Sequence, residues 1–125
     1  CFIKNGIRKI MKKLTTVKIS SNGKAIEIHN VKKVSELGKI FGLMFKSKTK
    51  ANALLFEFSE PTSMKIHSFF VFFPFFALWL DNKCNIIEKR TIQPFGLSFS
   101  PKKPFSKLIE IPLNENYMSL YNALL

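Results

Sequence analysis

The stretch MKIHSFFVFFPFFALWLD (64–81) constrains the fold more than any other part of this chain. Between Phe69 and Leu80 every residue except Pro74 is apolar, and six are phenylalanine. A membrane-crossing helix needs about 20 consecutive apolar residues. This run is shorter and is flanked by Lys65, His67 and Ser68 on one side and Asp81 on the other. Phenylalanine and valine favour strands, and Pro74 would break a helix or spoil a central ladder. The run therefore predicts two short strands, 66–73 and 75–80, meeting at Pro74 as an edge or bend. Strands apolar on both faces must be covered on both sides, which asks for a second sheet or a helix across them.

The rest of the composition says how large a body surrounds this ribbon. With 125 residues, 46% of them apolar, the chain suffices for one domain with a core and is too short for two. Two cysteines, Cys1 and Cys84, do not make a disulfide scaffold. Residues 1–10 hold only short apolar pieces among Lys4, Arg8 and Lys9, unlike a secretory leader. Met11-Lys12-Lys13 looks like a translational start, so 1–10 is expected to be an upstream or disordered lead and 11–125 a single, cytoplasmic domain. A lipidated Cys1 is the rival reading, disfavoured by the bulky Phe2-Ile3 that follows.

Around the ribbon the pattern is mostly that of strands. Val17 and Ile19 alternate with polar residues, as do Ile26 and Ile28, and Asn22-Gly23 between them is the signature of a tight hairpin. Val34, Leu37, Phe41 and Met44 recur at helical spacing after the potential cap Ser35, predicting one short internal helix weakened by Gly38 and Gly42. The lysine-rich 46–50 segment reads as an exposed loop. Strands are expected over 53–58, 85–89 and 106–111, with turns at 59–63 and 81–84 and a stop at Pro112. Three prolines keep 91–104 from being one regular element. Tyr117, Leu120, Tyr121 and Leu124 have helical spacing and suggest a C-terminal helix. The expected fold is mainly β: a small sandwich or distorted barrel of about seven strands.

Several pieces in order, Phe41-Gly42-Leu43-Met44-Phe45-Lys46, Leu54-Leu55-Phe56-Glu57-Phe58, Ile66-His67-Ser68-Phe69-Phe70-Val71-Phe72-Phe73-Pro74, Leu80-Asp81, Gln93-Pro94-Phe95 and Leu108-Ile109-Glu110-Ile111-Pro112, resemble the domain of unknown function 192, especially its archaeal branch. The resemblance implies a small β-sandwich-like fold with a short helix at the Gly-Leu-Met motif, and it implies no activity. Two departures matter: Phe76 stands where family members usually carry Asp, and no Gly-Asp turn closes the segment 114–125.

No residue set carries an enzyme on its own. His67, Ser68 and Asp81 are the residue types of a nucleophilic triad, yet neighbours on a strand point to opposite faces, so His67 would not reach Ser68. Glu57 and Glu110, both flanked by apolar residues, would form an acid/base couple if they met. No metal spacing and no phosphate-cradling glycine loop is present, so neither a metal nor another cofactor is expected. A formal net charge of +12 invites a nucleic-acid reading, but the lysines spread over several segments. The favoured reading is a non-enzymatic module that binds a protein or small-molecule partner through a mouth formed by Gly42, Met44, Phe45, His67, Ser68, Pro94 and Phe95. A basic nucleic-acid binder and a hydrolase using His67 or a glutamate are the rivals.

Overall fold

The structure, a computed structural model, describes residues 14–33, 52–64, 66–67, 73–93, 98–99 and 101–125, with 66–67 and 98–99 as backbone. Strands β1 (Leu14–Ser21) and β2 (Lys24–Lys33) form the expected hairpin. Asn22 and Gly23 take φ of 53° and 80°, the two positive values that a type I′ turn demands. β2 then runs parallel to β3 (Ala53–Thr62), pairing Val31 with Ala53. A parallel pair requires a crossover rather than a tight turn. The internal helix and lysine loop expected between these strands lie outside the described residues.

β3 also corrects an expectation, because the strand continues through the 59–63 segment that reads as a turn. Its register with β8 (Phe105–Pro112) is interrupted between Glu57 and Thr62, so Pro61 sits where no ladder bond is asked of it. The phenylalanine ribbon supplies β4 (Ile66–His67) and β5 (Phe75–Leu80). Pro74 stands just before β5, and its carbonyl accepts the Leu113 amide at 3.3 Å. β5 is buried at every position and central, between β8 and β6 (Ile86–Ile92). β7 (Ser98–Phe99) pairs with β4 as a separate ribbon. β6 and β8 each outrun the expected strand, β8 as far as Pro112 opposite Phe75. A single α-helix among the described residues, α1 (Met118–Leu124), follows β8.

The main sheet has the order β1-β2-β3-β8-β5-β6 and is curled into a distorted half-barrel. Its two edges approach each other where the Ser20 amide donates to the Cys84 carbonyl at 2.9 Å. The concave face gathers Ile19, Ile28 and Val31 from the hairpin with Phe76, Leu78 and Leu80 of β5, and α1 closes it with Leu124. On the convex face a second cluster holds Leu54, Phe56, Phe75, Ala77, Trp79 and Leu108. Both sides of β5 are thus covered, as a strand apolar on both faces requires.

Candidate functional site

Six of the seven residues expected to form a mouth, Gly42, Met44, Phe45, Ser68, Pro94 and Phe95, lie outside the described residues. The seventh, His67, is in β4, where its backbone pairs with Ser98. Asp81, the acid of the imagined triad, is occupied by the β5–β6 turn. One oxygen accepts the amides of Lys83 at 2.8 Å and Asn85 at 2.9 Å, and the other accepts the Asn85 side chain at 3.1 Å. Desolvation acts to raise the Asp81 pKa, but these bonds outweigh it and hold the carboxyl below its ordinary value. Asp81 is a turn residue. The second imidazole, His29, lies on the exposed side of the hairpin beside Thr16 Oγ1 at 3.1 Å. Among the described residues no group of three or more His, Cys, Asp or Glu could hold a metal ion.

Glu57 and Glu110 do not form a couple. On β3 Leu54 and Phe56 face the convex cluster, while Ala53 and Leu55 face the concave one. Alternation puts Glu57 on the concave side, where it pairs with Lys33 at 3.1 Å and Lys107 at 3.7 Å. Glu110 stands opposite Leu54 on one neighbour and Ala77 on the other, which places it on the convex face. The two carboxyls are separated by the sheet.

The convex face carries the unusual chemistry. One row across it reads Leu54, Glu110, Ala77, Arg90, and the next reads Phe56, Leu108, Trp79, Glu88. Glu110 is only 7% exposed, and among the described residues nothing hydrogen-bonds or ion-pairs with its carboxyl. Burial pushes that carboxyl up to about 8, so it is mostly the neutral acid at pH 7. In the adjoining row Trp79 is fully buried, and its indole Nε1–H has no acceptor. The carboxylate that shares its row, Glu88, is engaged by Arg90 at 3.1 Å and by the Lys102 amide at 3.3 Å. Trp79 Nε1 is the one side-chain N or O among the described residues that is fully buried without a partner, a state that costs about 1–3 kcal/mol.

The sequence carried half of this signal. Glu110 between Ile109 and Ile111 is a charge inside an apolar strand and stands out as a candidate. Trp79 passes as one more core aromatic. The clue was that its ring, unlike those of the phenylalanines around it, brings a donor that must be satisfied.

No family model matches the chain, and no curated protein matches it. The resemblance to the domain of unknown function 192 therefore stands on the residues quoted for it. Two solved structures share the fold. A protein of unknown function from Novosphingobium aromaticivorans superposes with a TM-score of 0.70 at 12% identity, over 86% of this chain and 79% of that one. A protein from Sinorhizobium meliloti described as a “putative transcription regulator” gives 0.66 at 17% identity, over 83% of this chain and 82% of that one. At such identities the likeness is one of fold. No helix among the described residues is long and apolar enough to cross a membrane.

Proposed function

We propose that this domain is a non-enzymatic module that binds a protein or small-molecule partner. What supports the reading is that the residue types a catalytic set would need are spent on structure: Asp81 holds its turn, and Glu57 and Glu110 lie on opposite faces of the sheet. The unknown-function 192 family resemblance, which implies no activity, sits comfortably with such a role.

The two rivals have less behind them. A hydrolase would need Asp81 free to orient a base, and its carboxylate is spent on the turn. The Sinorhizobium protein, described as a transcription regulator, raises a nucleic-acid role for this chain. Phosphate binding requires a face of uncompensated cations. Among the described residues Glu27, Glu57 and Glu88 each pair with a cation, which reduces the free positive charge there.

Titration with the uncharged fluorophore N-phenyl-1-naphthylamine is expected to give saturable binding that added salt leaves unchanged. Absence of saturable dye binding, or salt-sensitive binding of a labelled oligonucleotide in its place, overturns the proposal.

A further inference from the structure

We infer that the partner of this module is an extended peptide segment, with apolar and acidic residues alternating along it, that adds as a further strand to the open edge of β1. The inference rests on the binding reading above and names the partner's class, a protein segment rather than a small molecule. It starts from hydrogen-bond phase. Ser21 pairs with Lys24 across the Asn22-Gly23 turn, so Ser21, Ile19 and Val17 spend their backbone groups on β2. The residues between them point the other way, as Ser20 shows by donating its amide to the Cys84 carbonyl at 2.9 Å. The same phase directs the amides and carbonyls of Leu14, Thr16 and Lys18 outward, where no backbone among the described residues meets them.

The two edges of the sheet are defended differently. β6 carries Glu88, Lys89 and Arg90 in succession, and charge is a common guard of an exposed edge. The open stretch of β1 offers Thr15, Thr16 and Val17, β-branched residues suited to strands, and Lys18 is its one charge. Its outer side is also regular. The irregularity between Thr15 and Val17 is absorbed by β2, where the register steps from Ile28 to Val31 and Asn30 takes a φ of 58°.

Only another extended chain presents donors and acceptors at the spacing of a strand edge, which sets the form of the occupant. Side-chain alternation sets its sequence. Residues of the added strand opposite Thr15 and Val17 turn to the concave side, where half-buried Val17 packs against the apolar cluster, so apolar side chains belong there. A residue opposite Thr16 stands on the other face, diagonal to Lys18, whose side chain is 75% exposed and reaches Glu27 only at 3.9 Å. A carboxylate at that place meets an available cation. The formal net charge of +12 decides between an acidic partner and a second copy of this chain, because two copies would bring like charges together.

A fluorescein-labelled hexapeptide of alternating glutamate and valine tests this by anisotropy and by amide hydrogen exchange. Saturable binding is expected, weakening as salt is raised. In the complex the Thr16 and Lys18 amides should exchange roughly tenfold more slowly, whereas those of Val17 and Ile19, already bonded to β2, should change little. Two N-methylated versions of the peptide, one for each alternate set of residues, carry the same charge. The version whose blocked donors face β1 should lose roughly tenfold or more in affinity, and the version whose blocked donors face solvent should keep it. Thr16→Pro removes an outward amide and no bond to β2, and should weaken the unmodified peptide comparably. If that variant does not fold, the methylated pair carries the same comparison. No saturable binding, equal binding of the two methylated versions, or Thr16 and Lys18 amides left unprotected each overturns the strand-addition inference. None of these results bears on the naphthylamine titration, whose failure would remove the binding reading itself.

Discussion

Both faces of the curled sheet bury apolar residues, and they treat their polar groups in opposite ways. Among the described residues no buried side-chain N or O on the concave face lacks a partner. The Tyr117 hydroxyl donates to the Asn30 carbonyl at 2.8 Å and accepts the Ala53 amide at 2.9 Å, tying the segment before α1 to the start of the parallel β2–β3 pair. Thr91 Oγ1 meets the Tyr121 hydroxyl at 3.0 Å, and Lys89 Nζ donates to the Leu124 carbonyl. On the convex face Trp79 Nε1 goes without an acceptor, and burial acts unopposed on the Glu110 carboxyl. The same chain therefore knows how to satisfy buried polar atoms, which makes the second face a departure from its own habit. A face finished by its own side chains is architecture.

The largest expected effect tests that departure directly. Glu110 has an ordinary carboxyl pKa near 4.5 when unfolded and about 8 when folded, with burial as the cause. Below about pH 4.5 it is neutral in both states and carries no penalty. Between the two values only the unfolded chain ionises, so stability falls as pH rises, and the loss is complete once the folded carboxyl also ionises above about 8. At about 1.4 kcal/mol per pKa unit the full loss has an upper bound near 5 kcal/mol. Glu110→Gln removes the ionisation and should be the more stable protein at pH 8, with a flatter curve. Urea midpoints measured from about pH 5 to pH 8 check this. A wild-type curve as flat as that of the variant would mean that Glu110 has a partner, and the contrast between the faces would collapse.

This contrast also marks how far the sequence could be read. The two-sided apolar character of 75–80 dictated a strand covered on both faces, and Asn22-Gly23 dictated the hairpin, because both are local statements about pattern and backbone angle. The C-terminal helix followed from the spacing of Tyr117, Leu120, Tyr121 and Leu124, three of which lie in α1. What pattern could not supply was register. Whether Glu57 and Glu110 share a face depends on which residues of β3 and β8 stand opposite, and Leu54 rather than Glu57 turns out to oppose Glu110. The orphaned state of Trp79 depends in turn on Glu88 being claimed by Arg90 and Lys102, contacts made across strands and loops. Pro61 misleads for the same reason: proline is a turn signal except where the ladder has already lapsed.

The concave face offers the complementary test. Tyr117→Phe keeps the ring and its packing but strips the hydroxyl that serves Ala53 and Asn30. Asn30 holds a left-handed φ of 58°, so that carbonyl is presented by a backbone that has little freedom to turn elsewhere. Leaving the buried Ala53 amide unpaired should cost about 1–3 kcal/mol. Chemical denaturation at neutral pH measures it, and the predicted sign is opposite to that of Glu110→Gln at pH 8. Removing a polar group weakens the face whose bonding is complete and strengthens the face whose bonding is not. If Tyr117→Phe were neutral, satisfaction on the concave side would be incidental and the comparison would lose its reference.

The smallest effect belongs to the rim, where charge is paired in contact with water. Glu57 bridges Lys33 and Lys107, and its side chain remains 41% exposed. Exposed ion pairs contribute about 0–1 kcal/mol, and salt screens them. Glu57→Gln should therefore shift the urea midpoint slightly at low ionic strength and not at all in high salt. Lys107 has a second partner, since its Nζ lies 3.2 Å from Cys84 Sγ, and this further reduces what the loss of Glu57 can do. Set beside Glu110, the comparison isolates burial as the variable: two glutamates three residues from being cross-strand partners, one in water with two lysines, the other in hydrocarbon with none. A large, salt-insensitive effect of Glu57→Gln would show that position in the sheet, not exclusion from water, sets the worth of a carboxyl in this fold.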